Sequence, residues 1–160
     1  MLSIRPATVQ DTALLETLIR ELAEYERLLD SVVMTEADLR RDGFGARPKF
    51  RALITEWDGQ PAGFALFFEV YSTFQGNAGL FLEDLFVRPQ FRGKGIGKAL
   101  LAHVARIARD EGYPRANWEV LDWNQPAIDF YISLGGKFLD QWRSVLLTDE
   151  PLRRLAEQAK

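Results

Sequence analysis

Cysteine is absent from all 160 residues, so disulfides, thiolate metal sites and an acyl-cysteine intermediate are excluded. Histidine occurs once, at His103, which rules out a two-histidine metal site. Its spacing from Ile96 and Leu100 puts it at the edge of a helical apolar face, a packing or surface position rather than that of a general base. No metal is expected. No apolar run approaches the length of a membrane span. Arg5 and Pro6 come early with no long apolar stretch behind them, so no leader is expected and the cytoplasm is the default. A surplus of positive charge is also missing: the net charge is −3, which suggests no nucleic-acid surface and is compatible with cationic substrates.

What is present describes a folded domain. Apolar residues make up 47% and charged residues 27%, the balance of a globular chain rather than a disordered one. With no repeat or low-complexity linker, one domain over 1–160 is expected, large enough for a sizeable core. Apolar spacing predicts strands at 2–5, 50–56, 61–70, 80–87 and 116–121, with 80–87 as the central strand. Asp58 and Gly59 mark the hairpin between the second and third strands. Helices are predicted at 11–27, from Thr35 with Asp38 closing a capping box, at 95–111, at 125–134 and at 151–159. Residues 138–147 read as one strand or a pair. Strands and helices interleave around one sheet, an α/β fold.

The densest chemical signal is the run Arg92, Gly93, Lys94, Gly95, Ile96, Gly97, Lys98, which follows the apolar stretch LFLEDLFV and opens an amphipathic helix. Glycines at 93, 95 and 97 leave the backbone without Cβ atoms, so successive N–H groups can turn toward one anion at the positive end of the helix. Arg92 and Lys94 add charge where a pyrophosphate would sit. A Walker loop does not fit, because Arg92 stands where its first glycine belongs and Ala99 offers no hydroxyl. The dinucleotide fingerprint does not fit either, since the glycines run GxGxG and no early βαβ unit precedes them. Arg92-x-x-Gly95-x-Gly97 matches the R/QxxGxG/A signature of the GNAT acetyltransferases.

Further segments carry the same resemblance in order: IRPAT at 4–8, ELAEYE at 21–26, DGFG at 42–45, LEDLFV at 82–87 and WNQPAIDFY at 123–131. Together they resemble the branch of diamine (spermidine/spermine) and thialysine N-acetyltransferases. The resemblance implies a GNAT fold: a mixed, mostly antiparallel twisted sheet flanked by helices, with acetyl-CoA in the cleft between the fourth and fifth strands. It implies that Leu85, Phe86 and Val87 line the pantetheine arm, with the Leu85 N–H on the thioester carbonyl. The loop from Arg92 to Lys98 would hold the pyrophosphate, and Asn124 and Pro126 would lie along the CoA arm. Tyr131 would bind there too and protonate the departing thiolate. A homodimer and a small-molecule amine substrate are implied as well, without nucleic acid or membrane.

Glu83 and Asp84 stand side by side in an otherwise apolar strand, where neighbouring side chains face opposite sides. A buried, unpaired carboxylate is costly, so each is either paired or kept for its reactivity. The resemblance places Glu83 at the acid that holds the attacking amine and helps remove its proton; Asp84 is read as structural. Glu21, Glu24 and Glu26 gather near the end of the first long helix, as a substrate site or as a solvated face neutralised by Arg20 and Arg27. The resemblance favours Tyr25 and Glu26 as substrate contacts, and gives Asp140 as a further substrate acid. The function expected is acetyl transfer from acetyl-CoA to the primary amine of a polyamine, diamine or thialysine-like molecule by direct attack. A CoA-binding sensor with little turnover and a protein-amine acetyltransferase are the alternatives.

Overall fold

The computed structural model describes residues 1–159. By internal contacts it forms two compact units, Met1–Leu121 and a smaller unit that begins at Asp122. The first unit is built on a five-stranded sheet in the order β1-β2-β3-β4-β5: Leu2–Pro6, Arg51–Trp57, Gln60–Ser72, Asn77–Val87 and Ala116–Trp118. Successive strands from β1 to β4 pair antiparallel, while β5 runs parallel to β4. The mixed, mostly antiparallel sheet that the resemblance implies is therefore present. β3 occupies the middle of the sheet, and β4, read as the central strand, lies one place from the edge.

Alternation along the strands supplies the core. Ala52, Ile54, Phe64, Leu66 and Phe86 meet Leu15, Leu18 and Leu22 of α1 (Thr12–Tyr25) and Leu39 of α2 (Glu36–Phe44) in one buried cluster. Their intervening neighbours Leu53, Ala65 and Phe67 are buried outside that cluster, as a period of two requires. α3 (Ile96–Asp110) packs on β2, β3 and β4 and buries Ile96, Leu100 and Val104, spaced one helical turn apart. Asp58 and Gly59 both adopt left-handed φ, at 52° and 75°, which gives the two-residue hairpin between β2 and β3. Thr35 caps α2 with the reciprocal Thr35–Asp38 bonds that the sequence predicts.

The segment IRPAT has a structural task of its own. Arg5 donates two bonds of 2.8 Å to Asp11, and the backbone N–H of Thr8 donates to the same carboxylate at 2.7 Å. Asp11 is 8% exposed, and the Arg5 guanidinium holds its carboxyl down at about 2. A depressed carboxylate contributes stability above its unfolded pKa and loses it as pH falls. Asp11→Ala is therefore expected to cost about 2 kcal/mol in urea denaturation at neutral pH. The difference from the parent protein narrows as pH falls from about 4 toward 2.

The second unit holds α4 (Gln125–Ser133) and α5 (Asp149–Ala156). The Asn124 side-chain oxygen caps α4 through the Ala127 N–H at 3.4 Å, and Pro126 sits in its first turn. α4 ends where Gly135 N–H and Gly136 N–H donate to the Ile132 and Tyr131 carbonyls. The strand expected at 138–147 does not form. A run of apolar residues becomes a strand only against a partner edge, and this segment pairs with no strand among the described residues. Its Val145 and Leu146 are 93% and 84% exposed. α5 starts two residues earlier than expected, with Glu150 accepting from Arg153 and Arg154. No helix among the described residues is long and apolar enough to cross a membrane.

Candidate active site

β5 is shorter than the sequence predicts, three residues rather than 116–121, and its pairing with β4 stops at Leu82 opposite Trp118. From Glu83 to Val87 the β5 side of β4 has no strand partner among the described residues, while the β3 side stays paired through Val87. A strand edge that opens after three pairs leaves backbone donors and acceptors available to an extended ligand. Leu85, Phe86 and Val87 lie on this open stretch, with Phe86 buried and its neighbours partly covered.

Just before the open edge the register slips. Leu66 faces Asp84 and Phe67 faces Leu82, so Glu83 is the extra residue of a β-bulge. Two consequences follow for the acids. Glu83 is exposed, and Asp84 is half-buried with no hydrogen bond or ion pair among the described residues. The structural partner expected for Asp84 is not there. Burial, joined by the negative charges of Glu83 and Glu26, pushes the Asp84 carboxyl up to about 7. Burial also raises Glu26, at the C-terminal end of α1. Three carboxylates from two elements thus act on one another, and strict alternation along β4 did not foretell it because a bulge leaves no mark in the pattern of apolar residues.

The other acids of α1 are divided. Glu21 receives two bonds from Arg88, at 2.7 and 2.8 Å, and Arg88 also donates to the Pro61 carbonyl. Arg20 pairs with Glu16 rather than with the acids that follow it. Glu21 is thereby neutralised, and Glu24 and Glu26 form no ion pair among the described residues. A cleft of about 390 Å³ lies here, lined by Glu21, Glu24, Tyr25, Phe86, Arg88, Pro89 and Gln90.

After β4 the chain makes a short 3-10 turn, Pro89–Phe91, and enters the glycine loop. Gly93 and Gly95 both sit at φ 76°, a left-handed conformation that a side chain would strain, and a Cβ at either would point into open space. Gly95 is the N-cap of α3, and it offers no side chain to cap that helix. The first N–H groups, at Ile96, Gly97 and Lys98, therefore lack intrahelical partners and carry the positive end of the helix dipole. A bare, glycine-lined helix start flanked by Arg92, Lys94 and Lys98 fits the phosphates of a CoA-type ligand. Lys94 lies over the Trp57 ring at 4.8 Å. Arg92 turns toward Tyr25 and Phe86, with its Nε bonded to the Val87 carbonyl at 2.9 Å. Neither aromatic platform was legible in the sequence, since each joins residues far apart in the chain. His103 bonds back to the Ala99 carbonyl within α3, in keeping with a packing role.

Within the second unit, Asn124 is 7% exposed and Tyr131 is partly buried on α4 with its ring beside Phe130. Asp140 is exposed in a turn.

The acetyltransferase (GNAT) family model matches residues 13–135. Thialysine N-epsilon-acetyltransferase of Sus scrofa is 40% identical over 164 aligned residues, which cover 96% of each chain. L-ornithine N5-acetyltransferase of Arabidopsis thaliana is 31% identical over 198 aligned residues, 95% of this chain and 86% of the relative. An aminoglycoside N-acetyltransferase solved in complex with CoA has the same fold, with a TM-score of 0.73 at 21% identity over 94% of this chain and 95% of that one. On this likeness over nearly its whole length, the chain belongs to the acetyltransferase (GNAT) family and is an acetyltransferase.

Proposed function

We propose that this enzyme transfers an acetyl group from acetyl-CoA to the primary amine of a small molecule, of the thialysine or ornithine type or a di- or polyamine, by direct attack. The observation that carries the reading is Asp84, a half-buried carboxyl poised at about 7 beside Glu83 and Glu26 and next to an unpaired strand edge. An alkylammonium has a pKa of about 10.4 and is no nucleophile until it loses a proton. The pair Glu83 and Asp84 attracts the cation and takes that proton, with the Asp84 carboxyl raised to about 7 by burial and Glu83 in contact with solvent. Glu26 and Tyr25 hold the amine, and Asp140 is a further candidate acid for a longer substrate.

The acetyl donor supplies the thioester. Its phosphates are assigned to the Gly93–Gly95 turn, the α3 start, Arg92, Lys94 and Lys98, and its arm to the open edge at Leu85, Phe86 and Val87, with Asn124 and Pro126. In the reaction the amine nitrogen bonds to the acetyl carbon, the Leu85 N–H stabilises the oxyanion, and the carbon–sulfur bond breaks. Tyr131 gives its proton to the thiolate, so CoA leaves as the thiol. No acyl-enzyme is required. A homodimer belongs to the same proposal.

The relatives' names support an amino-acid side-chain amine as substrate. Thiol release from acetyl-CoA with thialysine, ornithine, lysine, spermidine and putrescine, with products identified by mass, tests this. Turnover with one or more of them, above the rate with a peptide amine, is expected. Turnover with the peptide alone favours a protein substrate, and CoA binding without turnover favours a sensor.

A further inference from the structure

Arg92 is exposed, yet its side chain is held from three sides. Its Nε donates to the Val87 carbonyl at 2.9 Å, its guanidinium carbon lies 4.4 Å from the centre of the Tyr25 ring, and the Phe86 ring is 5.8 Å away. Its two terminal nitrogens make no hydrogen bond among the described residues. An arginine left loose on the surface would lose rotamer freedom each time it closed on an anion. Here that ordering is done in advance, and the terminal donors remain open one residue before the glycine loop.

We propose that Tyr25, placed on α1 at the amine end, is a positioning residue for acyl-CoA, acting through the Arg92 guanidinium that its ring supports. The inference rests on the function reading above, because it takes CoA as the anionic ligand of the loop. Tyr25 contacts the guanidinium through its ring face, and a phenylalanine at 25 would keep that contact. Tyr25 thereby joins the two substrate sites. An amine that settles Tyr25 strengthens CoA binding, and by linkage CoA strengthens amine binding by the same factor.

The test is the affinity for CoA alone, by titration calorimetry without amine, for the parent protein, Tyr25→Leu, Tyr25→Phe, Arg92→Gln and the Tyr25→Leu/Arg92→Gln double variant. Tyr25→Leu is expected to raise the CoA Kd roughly five- to twentyfold, and Tyr25→Phe to stay within about twofold of the parent. In the Arg92→Gln background the leucine substitution should add less than about twofold, because the group it acts through is gone. A merely structural role for Tyr25 would give the same loss in both backgrounds, and that result overturns the proposal. So does a Tyr25→Leu variant that binds CoA as the parent does. If the parent itself does not bind CoA, the function reading fails, and this inference fails with it.

Discussion

Replacing Tyr131 by phenylalanine is expected to lower kcat by about two to three orders of magnitude while the CoA Kd moves less than about twofold. The substitution keeps the ring and its contact with Phe130, 5.3 Å between centroids, so packing on α4 is retained and only the hydroxyl goes. The CoA thiol has a pKa of about 8.5, and a proton delivered to the sulfur as the bond breaks assists its departure and returns it as the thiol. Tyrosine, at about 10, is uphill of it by about one and a half units, a gap that proximity covers. The split between kcat and Kd identifies a group used in the transition state rather than in binding. Steady-state rates and calorimetric titrations from about pH 6 to about pH 9 read it. Unchanged turnover across that range removes Tyr131 from the role of general acid.

The second large effect concerns stability and activity in opposite directions. A carboxyl raised from 3.8 to about 7 is favourable to the fold only while protonated. The native state then holds more protons than the unfolded chain between those two values, so the Asp84 contribution is full below about 4 and is lost as pH rises through about 7. Asp84→Asn removes this penalty. Urea denaturation at about pH 8 should show the variant more stable than the parent by about 2 to 4 kcal/mol, with the gap closing toward about pH 4. Acetyl transfer should fall by about 100-fold, and the rise of kcat/KM through neutral pH should flatten. Gained stability with lost activity is the mark of a group retained for chemistry. A variant of lower stability at pH 8, or one with full activity, would return Asp84 to a structural role.

Much of this architecture is written in local pattern. The α1 leucines, the Asp58-Gly59 turn and the Thr35–Asp38 box each depend on neighbours a few residues away, and each forms as read. The glycine loop is legible for the same reason, since turn and helix start are local events. What failed depends on distant partners. Residues 138–147 have strand-like composition but pair with no strand among the described residues, and β5 stops after Trp118 because pairing is a property of two segments. The bulge at Glu83 leaves that acid exposed and its neighbour Asp84 half-buried, a difference that alternation along β4 does not encode. The sequence leaves Glu21 open as a substrate acid or as part of a face neutralised by Arg20 and Arg27, whereas its partner is Arg88, 67 residues away. The rings under Arg92 and Lys94 are of the same kind.

Direct attack by an amine on acetyl-CoA is the centre of the account, and rapid mixing tests it most directly. The protein is mixed with excess acetyl-CoA, with and without thialysine, while free thiol is followed and the amine product is identified by mass. The account predicts no burst of thiol without amine, and with it continuous release matched one for one by N-acetylated product. A stoichiometric burst without amine would demand an acyl-enzyme, and silence with thialysine and every other amine, despite CoA binding, would contradict the assignment of amine acetyl transfer.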